Sequence, residues 1–208
     1  MRNALNATGR PIFYSLCNWG EEDVANWGPE TANSWRTTMD IFDGWGSIEY
    51  NFKANMKVRD SSGEGGWNDP DMLEIGNGGL TYEEEKSHFA LWAISKAPLI
   101  IGCDLTLVED SSLEILTNEE IIAVNQDLGS EQARCVVGCQ WWDELLRKPS
   151  VYASRLSSGA VVAVAINWRE TSYSNLRIDL TDVGIAPKSG AWVTVRDLHA
   201  HENISTGQ

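Results

Sequence analysis

Short apolar runs alternate with amphipathic stretches from the first residue to about Gln126. The predicted strands are residues 12–17, 33–40, 67–72 and 99–102. The predicted helices are residues 41–55, 82–97 and 117–124. Pro98 separates the helix at 82–97 from the buried strand after it, because proline cannot continue a helix. Such alternation is typical of βα units around a parallel sheet. It predicts an α/β fold of about four units, which is half of a (β/α)8 TIM barrel.

From about Leu128 the pattern changes to strands in which apolar and polar residues alternate. The predicted strands are residues 150–156, 160–168, 176–180 and 191–195, and the turn Ser157-Ser158-Gly159 separates the first two. This pattern predicts an antiparallel, sandwich-like β module. We therefore expect residues 1–127 to form the C-terminal half of a (β/α)8 barrel and residues 128–208 to form an antiparallel β domain, with both ends cut from a longer protein.

Charge and hydropathy exclude several classes of partner. The formal net charge is -14 and the isoelectric point is near 4.5, so phosphate backbones and anionic lipid would be repelled. No window approaches the roughly 18 apolar residues that a membrane-spanning helix needs. We expect neither a nucleic acid nor a membrane as partner, and oligomeric state is left open.

Four cysteines are too few and too dispersed for a small disulfide-framework protein, and three histidines leave little for a zinc site. We expect no metal and no cofactor.

The N-terminal residues lack the apolar stretch of a secretory signal. Two triplets, Asn6-Ala7-Thr8 and Asn203-Ile204-Ser205, would accept N-glycans and weakly favour secretion.

Ten tryptophans are many for a chain of this length. Five of them fall in loops and at strand ends, at positions 19, 27, 35, 45 and 67. The apolar face of a pyranose stacks on aromatic rings while carboxylates, amides and arginine hold its hydroxyls. For any single tryptophan, a role in the core is about equally well supported.

Three carboxylates occur at the ends of predicted strands, namely Asp40, Asp69 and Asp71. Glycoside hydrolysis needs two such groups: one is a proton donor and acceptor, and in retaining enzymes the other attacks the anomeric carbon from about 5 Å away. Taken one at a time, each is more readily explained as an ordinary surface carboxylate.

Several strings, in this order, resemble glycoside hydrolase family 27, the melibiase type of α-galactosidase. They are Thr8-Gly9-Arg10-Pro11, Ser15-Leu16-Cys17-Asn18-Trp19-Gly20, Trp35-Arg36-Thr37-Thr38-Met39-Asp40-Ile41, Trp67-Asn68-Asp69-Pro70-Asp71-Met72-Leu73, Leu91-Trp92-Ala93-Ile94, Ala97-Pro98-Leu99 and Asn125-Gln126-Asp127. The resemblance covers roughly the first two thirds of the chain and extends more loosely to the β module. It implies a TIM barrel followed by an antiparallel β domain, with the active site at the carboxyl ends of the barrel strands.

The same resemblance implies roles for individual residues. Asp40 resembles the general acid/base, and Arg36 resembles the arginine that binds the sugar near its 2-hydroxyl. Cys17, Trp19 and Met72 resemble residues that line the pocket. Two further positions complete the implied site: Asp71 could bind a sugar hydroxyl or support the residues that do, and Asp69 is expected to support its loop.

The cysteines leave alternatives open. Cys17 could be half of a disulfide, but Ala32 stands where some relatives have the partner cysteine, so a free thiol is favoured. Cys135 and Cys139 could pair with each other or remain free.

The family's nucleophile lies in a Lys-Tyr-Asp segment that this chain lacks. We expect it upstream, so this chain alone should be inactive. The whole protein is expected to be secreted and to hydrolyse terminal α-galactosides with retention. The sequence does not indicate whether the preferred substrate is melibiose, a raffinose-type oligosaccharide, galactomannan or a glycolipid. The alternatives are an α-N-acetylgalactosaminidase, a β-L-arabinopyranosidase, or a non-catalytic galactose-binding fragment. The bulk of Trp19 disfavours the first, because the indole would clash with an N-acetyl group at the 2-position of the sugar.

Overall fold

The computed structural model describes residues 1–174, 176–186 and 192–205. The helices are α1 (Arg2–Asn6), α2 (Val24–Trp27), α3 (Trp45–Lys57), α4 (Tyr82–Ile94), α5 (Asp110–Leu116), α6 (Glu119–Gln126) and α7 (Trp141–Leu145). The strands are β1 (Ser15–Leu16), β2 (Ser34–Arg36), β3 (Trp67–Asp69), β4 (Arg134–Val137), β5 (Ser150–Arg155), β6 (Val161–Ile166), β7 (Thr194–Asp197) and β8 (Glu202–Ser205). Short 3-10 turns lie at Glu21–Asp23, Gly28–Glu30 and Arg59–Ser61.

The first half of the chain forms a parallel sheet in the order β1-β2-β3. Ser15 pairs with Ser34, and Trp35 pairs with Asn68. A parallel bridge between Leu73 and Ile101 adds a fourth segment beside β3. The predicted half barrel is therefore confirmed, with all four carboxyl ends at one edge. The predicted strand at 99–102 is reduced to this single bridge.

Two long helices cover the outer face of this sheet. Helix α4 starts at a capping box, in which the Thr81 hydroxyl accepts from the Glu84 backbone and the Glu84 carboxylate accepts from the Thr81 backbone. Both α3 and α4 bury one side, including Phe52, Phe89 and Trp92. Their sequence positions match the prediction to within a few residues.

Two antiparallel sheets make up the second half, in the orders β4-β5-β6 and β7-β8. A disulfide joins Cys135 to Cys139, which resolves the pairing that the sequence left open. The predicted strand at 176–180 is wrong, because no strand pairing occurs among the described residues there. The predicted strand at 191–195 begins at a residue outside the described part, and the observed strand is Thr194–Asp197.

One apolar core runs through both halves. Phe52 of α3 meets Tyr152 of β5 edge to face, with ring centroids 4.9 Å apart. Trp168, just after β6, lies 6.0 Å from Trp45 and 6.2 Å from Phe52. The β module thus packs against the outer helices of the half barrel. No helix in the described part of the chain is both long and apolar enough to cross a membrane.

Candidate active site

The parallel register brings three chain segments to one edge of the sheet. Cys17 directly follows β1, Asp40 follows β2 by four residues, and Asp71 follows β3 by two. Arg36 is the last residue of β2, so its side chain leaves the sheet among these segments. The structure therefore brings together the residues that the sequence singled out.

Arg36 lies at the centre of this group and is almost fully buried. Its Nη2 lies 2.6 Å from Asp71 Oδ2 and 3.2 Å from Asp40 Oδ1. The same nitrogen donates to the Thr38 carbonyl at 3.3 Å, and Nη1 points at the Cys17 sulfur at 3.9 Å. One guanidinium thus links the ends of all three strands.

Asp40 is the accessible carboxylate of the group, with its side chain 71% exposed. Its Oδ1 accepts from Arg36 and from the Trp19 indole Nε1 at 3.2 Å. In the described part of the chain, Oδ2 accepts no recorded hydrogen bond. Asp40 therefore has one oxygen fixed by donors and one oxygen open to a reacting group, as a proton donor and acceptor requires.

Asp71 is the buried carboxylate, with its side chain only 9% exposed. Oδ2 accepts from Arg36 and from the Ile41 backbone N–H at 2.8 Å, and Oδ1 accepts from the Met72 backbone N–H at 2.9 Å. Both oxygens are thus occupied by protein donors.

Asp69 supports the turn that contains Asp71. Its Oδ1 accepts from the Asp71 backbone N–H at 2.8 Å. Burial raises the pKa of Asp69 above its ordinary value, although the hydrogen bond from Asp71 and the charge of Arg36 act in the opposite direction.

Trp19 and Met72 lie at the rim, each more than 40% exposed. Trp19 adopts a φ of 60°, in the left-handed region that non-glycine residues rarely occupy. The next residue, Gly20, closes onto β2 so tightly that a β-carbon there would overlap the Thr37 carbonyl. This close approach holds the indole over Asp40. Cys17 is exposed and carries a free thiol.

In the part of the chain that the structure describes, the other four tryptophans of the loop and strand-end group form no hydrogen bond with Asp40. Trp35 is fully buried and its Nε1 donates to Asn68 Oδ1 at 2.6 Å. Trp27 donates to the Glu22 carbonyl. Trp45 packs on Trp168, and Trp67 begins β3.

Sequence reasoning missed two residues behind the site, Asn51 of α3 and Trp92 of α4. Asn51 Nδ2 donates to the Pro70 carbonyl at 3.1 Å, and Trp92 Nε1 donates to the Asp71 carbonyl at 2.7 Å. Both side chains are buried and sit on helical faces that read as ordinary core. The only sign of their role in the sequence was a hydrogen-bonding side chain on the predicted buried face of a helix. Among the described residues, no group of three or more His, Cys, Asp or Glu side chains could hold a metal ion.

Residues 1–127 match the family model described as Alpha galactosidase A. The chain belongs to this family of melibiases. Residues 147–208 match the model of the alpha galactosidase C-terminal beta sandwich domain. The predicted division after residue 127 stays a prediction.

Individual relatives agree with this membership of the melibiase family. Alpha-galactosidase 3 of Arabidopsis thaliana is 46% identical over 210 residues, which cover 99% of this chain and 45% of the relative. The crystal structure of alpha-galactosidase I from Mortierella vinacea superposes with a TM-score of 0.89 at 31% identity, covering 99% of this chain and 56% of that one. The alpha-galactosidase of Saccharomyces cerevisiae with raffinose gives a TM-score of 0.75 at 31% identity, covering 95% of this chain and 50% of that one. The chain spans about half the length of the curated relatives it matches.

Proposed function

We propose that the enzyme containing this chain hydrolyses terminal α-D-galactosyl residues with retention, and that Asp40 is its general acid/base. The observation that carries the proposal is the geometry of Asp40, which is held on Oδ1 by Arg36 and Trp19 while Oδ2 stays open. The family membership and the α-galactosidase names of the relatives support the substrate class.

In the first step, a carboxylate supplied from outside this chain attacks C1 of the galactosyl group. Asp40, as the carboxylic acid, gives its proton to the glycosidic oxygen while the C1–O bond breaks and the aglycone leaves. In the second step, the Asp40 carboxylate takes a proton from water as the water oxygen attacks C1. The galactose is then released and the nucleophile is regenerated.

Cys17, Trp19, Arg36 and Met72 would line the sugar pocket around Asp40. Arg36 supplies positive charge and hydrogen-bond donors, and the exposed Trp19 ring offers a flat apolar face. The acidic chain and the apolar rim formed by Trp19 and Met72 suit a neutral sugar rather than an anionic ligand.

The test is Asp40→Asn in the whole enzyme. We expect kcat to fall by about 10²–10⁴-fold on melibiose, the usual contribution of general acid–base catalysis. Proton NMR of the wild-type reaction should show α-galactose as the first product. Asp60→Asn is the matched control, because Asp60 is an exposed carboxylate whose ion-pair partner among the described residues is Arg59. Near-wild-type turnover by Asp40→Asn would remove Asp40 from this role.

We also infer that the enzyme is secreted. The Cys135–Cys139 disulfide suits an oxidising compartment, and Asn6 of the first glycosylation triplet is exposed. A protein isolated from its native host should lose mass when N-glycans are removed enzymatically. An unglycosylated protein with two reduced thiols at these positions would contradict secretion.

A further inference from the structure

We propose that Asp71 is a positioning residue that sets the place of Asp40, and that it does not bind the sugar. This inference rests on the proposed function and gives Asp71, the second carboxylate of the same site, a structural role. It begins from the surroundings of Asp71: its side chain is 9% exposed, and its two oxygens accept three protein N–H groups, from Arg36, Ile41 and Met72. A carboxylate has about four acceptor sites, so at most one remains, on a side chain that is almost closed to a sugar hydroxyl.

Two of those donors belong to the segment that carries Asp40. The Ile41 N–H, 2.8 Å from Asp71 Oδ2, is the backbone donor directly after Asp40. Arg36 Nη2, 2.6 Å from the same oxygen, also holds Asp40 Oδ1. Asp71 therefore fixes Asp40 twice, through the backbone on one side and through the guanidinium on the other.

Asp71 itself is held in an unusual conformation. Its φ of 86° lies in the region that non-glycine residues rarely adopt. Such a conformation costs on its own and persists only where surrounding contacts fix it. Here the Asp71 backbone is held at both ends, by Asp69 Oδ1 on its N–H and by Trp92 Nε1 on its carbonyl.

Side chains of the two outer helices therefore donate hydrogen bonds to the turn that contains Asp71. Trp92 of α4 holds the carbonyl of Asp71, and Asn51 of α3 holds the carbonyl of Pro70. Neither side chain has access to a sugar, since both are at least 98% buried. They are positioning residues that act on Asp40 through Asp71.

The experiment compares two α-galactosides in the whole enzyme, melibiose and 2,4-dinitrophenyl α-galactoside. The dinitrophenolate leaves without protonation, so only melibiose depends on a well-placed acid. Asp71→Asn keeps the size and the tolerance of positive φ but offers only one acceptor oxygen. We expect kcat/KM to fall at least about tenfold on melibiose and less than about threefold on the dinitrophenyl substrate.

A second variant covers the case in which Asp71→Asn fails to fold. Trp92→Phe removes the donor to the Asp71 carbonyl, together with part of the buried ring that packs on His88. It should give the same difference in kcat/KM between the two substrates, with a smaller magnitude. Trp168→Phe is the matched control, because its buried Nε1 donates to Ser150 Oγ at 3.0 Å away from the site. It should lower the melting temperature without separating the two substrates.

Three outcomes are informative. A larger loss on melibiose than on the dinitrophenyl substrate, in each variant that folds, supports the inference. An equal loss on both substrates overturns it, because the two share the galactosyl group that a sugar-binding residue would hold. Failure of the wild type on both substrates overturns the proposed function, and the inference with it.

Discussion

Arg36 occupies a position that only arginine can fill. Its Nη2 serves two carboxylates and a carbonyl, while Nη1 faces the Cys17 sulfur. A lysine ammonium is a single point with three donors and cannot span these acceptors from one buried stem. Arg36 therefore fixes both carboxylates from a single guanidinium.

A buried histidine beside the site predicts how stability depends on pH. Burial lowers the pKa of His88 to about 3, and its Nε2 accepts from the Glu74 backbone N–H at 3.0 Å. The unfolded chain binds a proton near pH 6.5 and the folded chain does not, so stability is complete above 6.5 and declines as the pH falls. Between pH 6.5 and 5 the free energy of unfolding should drop by about 2 kcal/mol from this residue.

The variant His88→Gln isolates that contribution, because glutamine keeps an acceptor for Glu74 and does not titrate. Buried carboxyls such as Asp69 titrate equally in both proteins, so the difference between the two unfolding curves reports His88. Urea unfolding at pH 5, 6 and 7 is the measurement. Parallel pH profiles for the two proteins would contradict a neutral buried imidazole.

At the scale of elements, a lysine closes the C-terminus of α6. Lys96 Nζ donates to the carbonyls of Val124, Asn125 and Asp127 at 2.5, 3.2 and 3.0 Å. Burial lowers the pKa of Lys96, but these carbonyls lie at the negative end of the helix dipole and favour the cation. Lys96 also has a φ of 54°, a conformation that non-glycine residues rarely adopt.

Lys96→Met should therefore destabilise the fold by about 2 kcal/mol, the usual value for hydrogen bonds to a charged group. Methionine keeps an unbranched apolar stem and the backbone strain, so the loss reports the removal of the ammonium group from its three carbonyl acceptors. Lys57→Met is the control, since Lys57 is exposed in the last turn of α3 and should change stability by less than about 0.5 kcal/mol. Equal unfolding free energies for the two variants would refute the capping role.

Elements with a strong local pattern were predictable, and those defined by partners were not. Helices α3 and α4 follow from apolar spacing and Pro98, and Asp40 and Arg36 follow from strings that resemble a known family. Helix α5 was not predicted, because its seven residues are too few to show a helical period of apolar residues. Residues 176–180 alternate like a strand but find no pairing partner among the described residues. The hydrogen bond from the Ile41 N–H to Asp71 could not be predicted either, because it joins residues 30 positions apart.

At the scale of the molecule, the two halves share one core, and this predicts how they fold. Tyr152, Ile166 and Trp168 belong to the same buried cluster as Phe52 and residues of α4. Without residues 1–127 these side chains would face water, at a cost of about 1.5–3 kcal/mol for each large apolar group. Residues 128–208 made alone should show no near-ultraviolet circular dichroism. A well-dispersed amide NMR spectrum from that piece would show that it folds independently.

The open edges of the half barrel predict how the 208-residue chain behaves by itself. In the described part, β1 pairs only with β2, and Ile101 forms its single bridge with Leu73, so both edges keep unpaired backbone groups beside the exposed Phe13 and Ile100. Such edges recruit other strands. The net charge of -14 opposes association at low salt, where the screening length is about 30 Å at 0.01 M, and hardly opposes it at 0.15 M. Sedimentation velocity should therefore show oligomers that grow with salt, whereas a sharp monomer at both salt concentrations would mean that the edges are covered.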